Sequence, residues 1–141
     1  MALSTRQVTL IQDSFAQVEP IADTAADIFY KRLFELNPEL RLMFKGDMKA
    51  QGKKLMTTLK VAVAGLDDIG KVVPVLKTLA ERHVQYGVRP SDYTTVGNAL
   101  LQTLKQGLGD AFTPEARQAW VELYRTIAQV MKAHAYPGFK G

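Results

Sequence analysis

The 141-residue sequence contains two histidines and no cysteine, so its options for metal and nucleophile chemistry are few. Structural zinc takes four nitrogen or sulfur ligands, and His83 and His134 lie far apart in the chain, so a metal held by protein groups alone is not expected. His83 follows Leu79 by four residues and Leu76 by seven, which puts its imidazole on the same helical stripe as those apolar side chains. Taken alone, it reads most simply as a core histidine with a satisfied hydrogen bond. A single inward histidine can also serve as the axial ligand of a haem, because the porphyrin supplies the other four nitrogens. Tyr30 points inward from an earlier helix, where a core tyrosine bonded to a carbonyl is the plain reading. Gln51 by itself reads as an ordinary polar residue facing solvent. His134 sits near the end of the last helix, where a cation suits the carbonyl-rich terminus. The sequence has no glycine-rich phosphate loop. Asp67 and Asp68 are adjacent, so their side chains diverge and make a poor acid–base pair.

Helices must position these residues, since apolar positions recur at steps of three and four and nowhere alternate for long. Ser4 and Gln7 form a capping box ahead of Val8, Ile11, Phe15 and Val18. Pro20 is expected to open a second helix with Ala26, Phe29, Tyr30, Leu33 and Phe34 inward, broken at Asn37-Pro38. A short helical piece leads to Met43 and Phe44, and Gly46-Asp47 turns the chain. A helix over 51–66 aligns Leu55, Leu59, Ala62 and Val63 and ends in the 67–70 stretch. The next carries Val72, Leu76, Leu79 and His83 and stops at Gly87. Pro90 is expected in the first turn of a helix bearing Tyr93, Val96, Leu100 and Leu104. Thr113-Pro114 starts the last helix, with Trp120, Leu123, Tyr124, Ile127 and Met131 on one side and Pro137-Gly138 at its end. Six substantial helices and a short one predict an all-α fold, a single domain over 1–141.

With 47% hydrophobic residues the chain can build one sizeable core; a chain of this length buries roughly 70% of its unfolded surface. The longest apolar run, 61–66, is far below the roughly 20 residues that span a bilayer. The N-terminus turns polar before a signal-peptide core could form, so a cytoplasmic protein without membrane association is expected. Eighteen basic against fourteen acidic residues give a net charge of +4, too mild a bias to suggest nucleic acid. One local excess exists: Arg41, Lys45, Lys49, Lys53, Lys54 and Lys60 against Asp47 alone. A solvated helix face explains it, and so does a positive rim for an anionic ligand.

In order along the chain, several segments resemble the globins, and specifically the single-domain bacterial haemoglobins related to the haem domain of flavohaemoglobins. They are 29–34, Asn37-Pro38-Glu39-Leu40 with Met43-Phe44, Gln51 to Leu55, Leu79 to Val88, Tyr93 to Leu101, and Ala119-Trp120 with Tyr124. The resemblance implies a globin fold around haem b, with His83 as the iron's proximal ligand and Phe44 flat against the porphyrin. It implies that Tyr30 and Gln51 form the polar distal pair, with Leu55 as the apolar wall. Val88, Tyr93 and Val96 would complete the haem contacts; with haem implied, the basic 41–60 stretch gains a use, as Lys54 or another lysine near Gln51 is expected to pair with a propionate at the pocket mouth. One departure stands out: the late glutamate of many bacterial relatives is replaced by Ala135, so the partner expected for His83 is a backbone carbonyl one turn earlier. The implied function is reversible binding of O2, CO and NO for oxygen binding, scavenging or transport. The alternative is nitric oxide dioxygenation. As the sequence closes at Gly141 without a flavin domain, that turnover is expected to draw on a separate flavin reductase. A haem-free helical interaction module is a third class.

Overall fold

The computed structural model describes residues 3–44 and 46–136, together with the backbone but not the side chain of Ile69. Six α-helices form its frame: α1 (Thr5–Val18), α2 (Ala22–Leu36), α3 (Met48–Ala64), α4 (Ile69–Gln85), α5 (Asp92–Leu108) and α6 (Pro114–Ala135). No strand occurs among the described residues. None of their helices is long and apolar enough to cross a membrane.

Local chemistry sets the helix starts. Both halves of the Ser4–Gln7 capping box are made, and the Thr113 side chain accepts from the Ala116 amide ahead of Pro114. Three starts differ from the sequence expectation. Pro20 lies in a 3-10 turn, Glu19–Ile21, because α1 hands its last amide (Glu19 N–H to Phe15 O) straight into that tighter turn. Asp47 accepts the Lys49 amide at 2.9 Å, which starts α3 at Met48 and puts Gln51 one turn inside. Pro90 occupies a turn instead of a helix: the Asp92 amide reaches Arg89 O at 3.0 Å while its carboxylate takes the Arg89 amide at 2.9 Å. Pro74 sits inside α4, where it removes one intrahelical donor. The Pro137-Gly138 end signal lies outside the described residues.

The apolar stripes then assemble. α2 lies on α5, α4 on α6, and α1 and α3 close the remaining sides across α6 and α2. The larger core joins Phe15, Phe29, Leu33, Leu100, Leu104, Trp120 and Leu123; a second, containing Val72, Leu76, Ala80, Tyr93 and Met131, lies between α4, α5 and α6. Trp120, 1% exposed, donates to Ser14 Oγ at 2.8 Å and so satisfies its one polar atom inside the core. Three glycines permit close approach, Gly65 against Val72 and the two that follow. A Cβ at Gly52 would lie 2.9 Å from the Ala26 Cβ, and one at Gly97 2.6 Å from the Tyr124 ring. Gly52 lets α3 cross tightly over α2. Gly97 seats the Tyr124 ring against α5, at the wall of the candidate site.

Candidate functional site

A cavity of about 130 Å³ opens between α3, α4, α5 and α6. Its wall is apolar over most of its area: Phe29, Leu55, Leu59, Leu76, Leu79, Val88, Val96, Leu100, Ile127 and Met131 contribute, and His83, Tyr93, Thr58 and Tyr124 are among the lining residues that carry polar side-chain atoms. His83 is there because α4 repeats apolar positions at 72, 76, 79 and 83, which turns the ring inward with them. Its Nδ1 bonds the Leu79 carbonyl at 2.8 Å, one turn earlier in the same helix. That bond fixes the ring orientation and places the proton on Nδ1, which leaves Nε2 with a lone pair to offer. Burial lowers the imidazole pKa below the usual histidine range, partly opposed by the Leu79 bond, so the neutral, ligating form dominates.

Tyr93 faces the same space from the first turn of α5. It is 5% exposed, its ring lies 6.3 Å from that of His83, and its hydroxyl has no hydrogen-bond partner. Burial, and secondarily Tyr136, pushes its pKa up to about 12, so the group is a neutral donor. The Tyr93 carbonyl accepts from the Tyr124 hydroxyl at 2.6 Å, tying α5 to α6. The Tyr136 hydroxyl donates to Val88 O, which holds the segment leaving α4. Ala135 packs against the Tyr93 cluster and brings no polar atom to it.

Across the cavity, Leu55 forms part of the wall. Tyr30, Gln51, Phe44 and Lys54 lie outside the lining. Tyr30 and Gln51 do meet, but through the backbone: the Tyr30 hydroxyl donates to Gln51 O at 3.3 Å. The Tyr30 ring stacks on Phe34 at 6.0 Å and meets Phe44 edge-on at 5.3 Å, so Phe44 is held in a three-ring group. Burial raises the Tyr30 pKa to about 12. Lys54 is exposed on α3, as are Lys49, Lys53 and Lys60; Lys60 pairs with Glu19 at 3.5 Å. His134 binds Glu81 at 2.6 Å, a clasp between α6 and α4 away from the cavity.

Sequence reasoning gave Tyr124 and Thr58 no place in the site, yet both line the cavity. Tyr124 carried a signal, its place on the inward stripe of α6; Thr58 carried none. Among the described residues, no three His, Cys, Asp or Glu side chains gather to hold a metal. The donor set is therefore one neutral imidazole in an apolar hollow beside an unpartnered hydroxyl. Those residues fit a planar macrocycle that brings its own equatorial ligands and needs one axial nitrogen.

The family model for Globin matches residues 27–131. The flavohemoprotein of Bacillus subtilis (strain 168) is 33% identical over 129 residues, which cover 89% of this chain and 32% of that protein. The flavohemoprotein of Oceanobacillus iheyensis is 38% identical over 105 residues, 72% of this chain and 26% of that protein. That of Vibrio cholerae serotype O1 is 27% identical over 131 residues, 91% and 33% respectively. The chain thus spans about a third or less of the length of these relatives.

Proposed function

Because the chain belongs to the globin family, we propose that it holds haem b through His83 and reversibly binds dioxygen, and also CO and NO, in the cytoplasm. The observation that carries this reading is the His83 ring: one nitrogen is committed to Leu79 O, and the other is left for a ligand at an apolar cavity. When bound there, haem would supply the iron that takes up the diatomic gas.

The chain's own residues do the rest. Leu79 O keeps the imidazole in the right tautomer and orientation. Val88, Tyr93 and Val96 would supply wall around the macrocycle; Phe44, held beside Tyr30 outside the lining, would have to turn toward it to pack on it, and Lys54, exposed on α3, would meet a propionate. Tyr30 is the distal donor. Its hydroxyl stays protonated throughout the physiological range, and its present bond is long enough that another acceptor displaces Gln51 O at little cost. A hydrogen bond to an acceptor carrying charge contributes about 1.5–3 kcal/mol, which slows gas release about ten- to hundredfold. The Gln51 amide adds a second donor, and Leu55 keeps the space apolar. Such a site retains oxygen tightly, which suits scavenging better than bulk delivery.

A second reading, nitric oxide dioxygenation, draws on the relatives' printed names, which pair flavin with haem. In that reading the haem held by His83 would supply the iron at which oxygen and nitric oxide become nitrate, and a separate flavin reductase would supply the electron for turnover. The absorption spectrum of purified protein tests the first reading. A strong Soret band that shifts with CO after reduction is the expected result. A colourless protein that takes up no added ferric porphyrin overturns it. Mixing the oxygenated protein with nitric oxide, with and without a flavin reductase, separates a single reaction from turnover.

A further inference from the structure

Arg41 opens the basic 41–60 stretch, yet its surroundings differ from those of the lysines that follow. It lies in a 3-10 corner, Pro38–Met43, between α2 and α3. Leu40 pegs that corner into the core at 3% exposure, and Arg41 stands exposed beside it. The Arg41 guanidinium carbon sits over the Phe34 ring, 5.5 Å from its centre. The negative face of an aromatic ring attracts a cation placed there. Among the described residues Arg41 has no carboxylate partner to draw it away. Arg32, on the same helix as Phe34, is by contrast taken up by Glu35 at 3.1 Å and Gln106 at 2.9 Å.

Among the described residues, three phenylalanine rings meet Tyr30, and they are fixed to different degrees. Phe29 meets it edge-on at 5.1 Å and is 4% exposed, locked by the core around it. Phe44 meets it edge-on at 5.3 Å, and its amide donates to Arg41 O at 3.1 Å. That bond anchors the backbone from which the Phe44 ring would turn toward a macrocycle. Phe34 stacks on Tyr30 at 6.0 Å and 26° and is half-buried. It is the backing that stays when Phe44 turns, and Arg41 gives it a contact that the core does not. At its far end Tyr30 has a 3.3 Å bond to Gln51 O, so the rings around it, more than its hydroxyl, decide where it points.

We propose that Arg41 is a positioning residue for the distal donor: seated on Phe34, its guanidinium steadies the ring that backs Tyr30 and so sets how firmly the Tyr30 hydroxyl holds a gas. The inference rests on the proposed function, in which Tyr30 is that donor. Arg41 touches neither the cavity nor the gas. Its effect passes through one ring to another, from an exposed corner of the fold to the donor.

Arg41→Met removes the cation but keeps the stem and the carbonyl that holds Phe44; Arg41→Lys keeps a cation. Arg41 is exposed, so both variants should fold with denaturant midpoints near wild type. In the haem-loaded chain, Arg41→Met is expected to raise the oxygen dissociation rate about two- to fivefold, the factor an exposed cation–π contact supplies. Arg41→Lys should restore most of the wild-type rate. In a Tyr30→Phe background, Arg41→Met should change nothing further, because the ring then has no hydroxyl to aim; a merely structural role would persist there. The C–O stretch of the ferrous carbonyl form should move toward that of Tyr30→Phe in Arg41→Met and return in Arg41→Lys. One readout needs no haem: in the haem-free chain, Arg41→Met should shift the ring protons of Phe34 and Tyr30 and leave those of Phe15, deep in the larger core, in place. An unchanged dissociation rate in Arg41→Met, or a speed-up that survives in the Tyr30→Phe background, overturns the assignment while haem binding stands. A chain that takes up no haem overturns the proposed function and this role of Arg41 with it.

Discussion

The two sides of the cavity handle their polar groups differently. On the His83 side, α4, α5 and α6 are fastened by bonds that lie behind the wall: Nδ1 to Leu79 O, Tyr124 to Tyr93 O, Tyr136 to Val88 O. What remains is one lone pair and one unpartnered hydroxyl at the cavity. On the Tyr30 side, the aromatic rings of Tyr30, Phe34 and Phe44 pack on one another, and the hydroxyl is committed to the Gln51 backbone by a long bond. The first side is built before any ligand arrives. The second, on the proposed function, would exchange a weak bond to act. A rigid anchor and an adjustable donor are what tight but reversible binding asks of opposite faces, since orientation must persist while the ligand comes and goes.

The largest effect follows from the anchor. His83→Ala removes the nitrogen that no neighbour replaces, so haem transfer to an apo-globin acceptor should accelerate by orders of magnitude. Unchanged retention would place the anchor elsewhere and dissolve the contrast. The donor side comes next. Tyr30→Phe should raise the oxygen dissociation rate about ten- to hundredfold, measured by rapid displacement with CO. Gln51→Leu should do less. If Gln51 has the larger effect, the amide and not the phenol is the adjustable donor.

How far the sequence shows all this also differs between the sides. The place of His83 at the cavity was legible because three apolar positions at helical spacing, Val72, Leu76 and Leu79, lead to it. The all-α fold was legible for the same reason, repeated over six helices. The carbonyl partner of His83 followed from helix geometry and the lack of a carboxylate at Ala135. What the sequence could not show is where a ring points once three aromatics meet. Tyr30 shares the inward stripe of α2 with Phe29, Leu33 and Phe34, and whether its hydroxyl reaches a cavity or a carbonyl depends on where α3 crosses. That crossing rests on Gly52, unremarkable in the sequence and decisive in space, because a single methyl there would sit 2.9 Å from Ala26. The helix starts misread at Pro20 and Pro90 have a similar cause: proline suits a first helical turn and a tight turn alike, and neighbouring carboxylates and carbonyls choose between them.

Titration probes both sides at once. Tyr30 and Tyr93 are each raised to about 12 from the ordinary value near 10, in both cases chiefly by burial. A phenol whose folded pKa exceeds its unfolded one binds its proton more tightly in the native state. Its contribution to stability is then whole below about pH 10 and is lost as pH rises toward about 12. Denaturant midpoints of the haem-free chain should fall across that window, and Tyr30→Phe should soften the fall. Below it, the oxygen dissociation rate should be flat with pH, because the Tyr30 donor stays protonated. A rate that rises between neutrality and pH 9 would mean a different group holds the gas.

The smallest effects sharpen the comparison furthest, because they separate a fastened hydroxyl from an unfastened one within the same side. Tyr124→Phe deletes the donor to Tyr93 O and should cost the haem-free chain about 0.5–1.5 kcal/mol. Tyr93→Phe deletes a hydroxyl that is buried and unpartnered, so the same chain should be unaffected or slightly more stable. Both substitutions delete one phenolic oxygen from a residue that lines the cavity, and the two hydroxyls differ in that one has a partner and the other has none. Once haem is loaded, the Tyr93 result becomes diagnostic in the other direction. A loss of stability from Tyr93→Phe in the loaded chain, absent in the haem-free one, means that the hydroxyl finds its acceptor only when the cavity is filled. Equal costs in both forms would show that the group is already satisfied without a ligand, and that the His83 side is no more prepared for haem than the other.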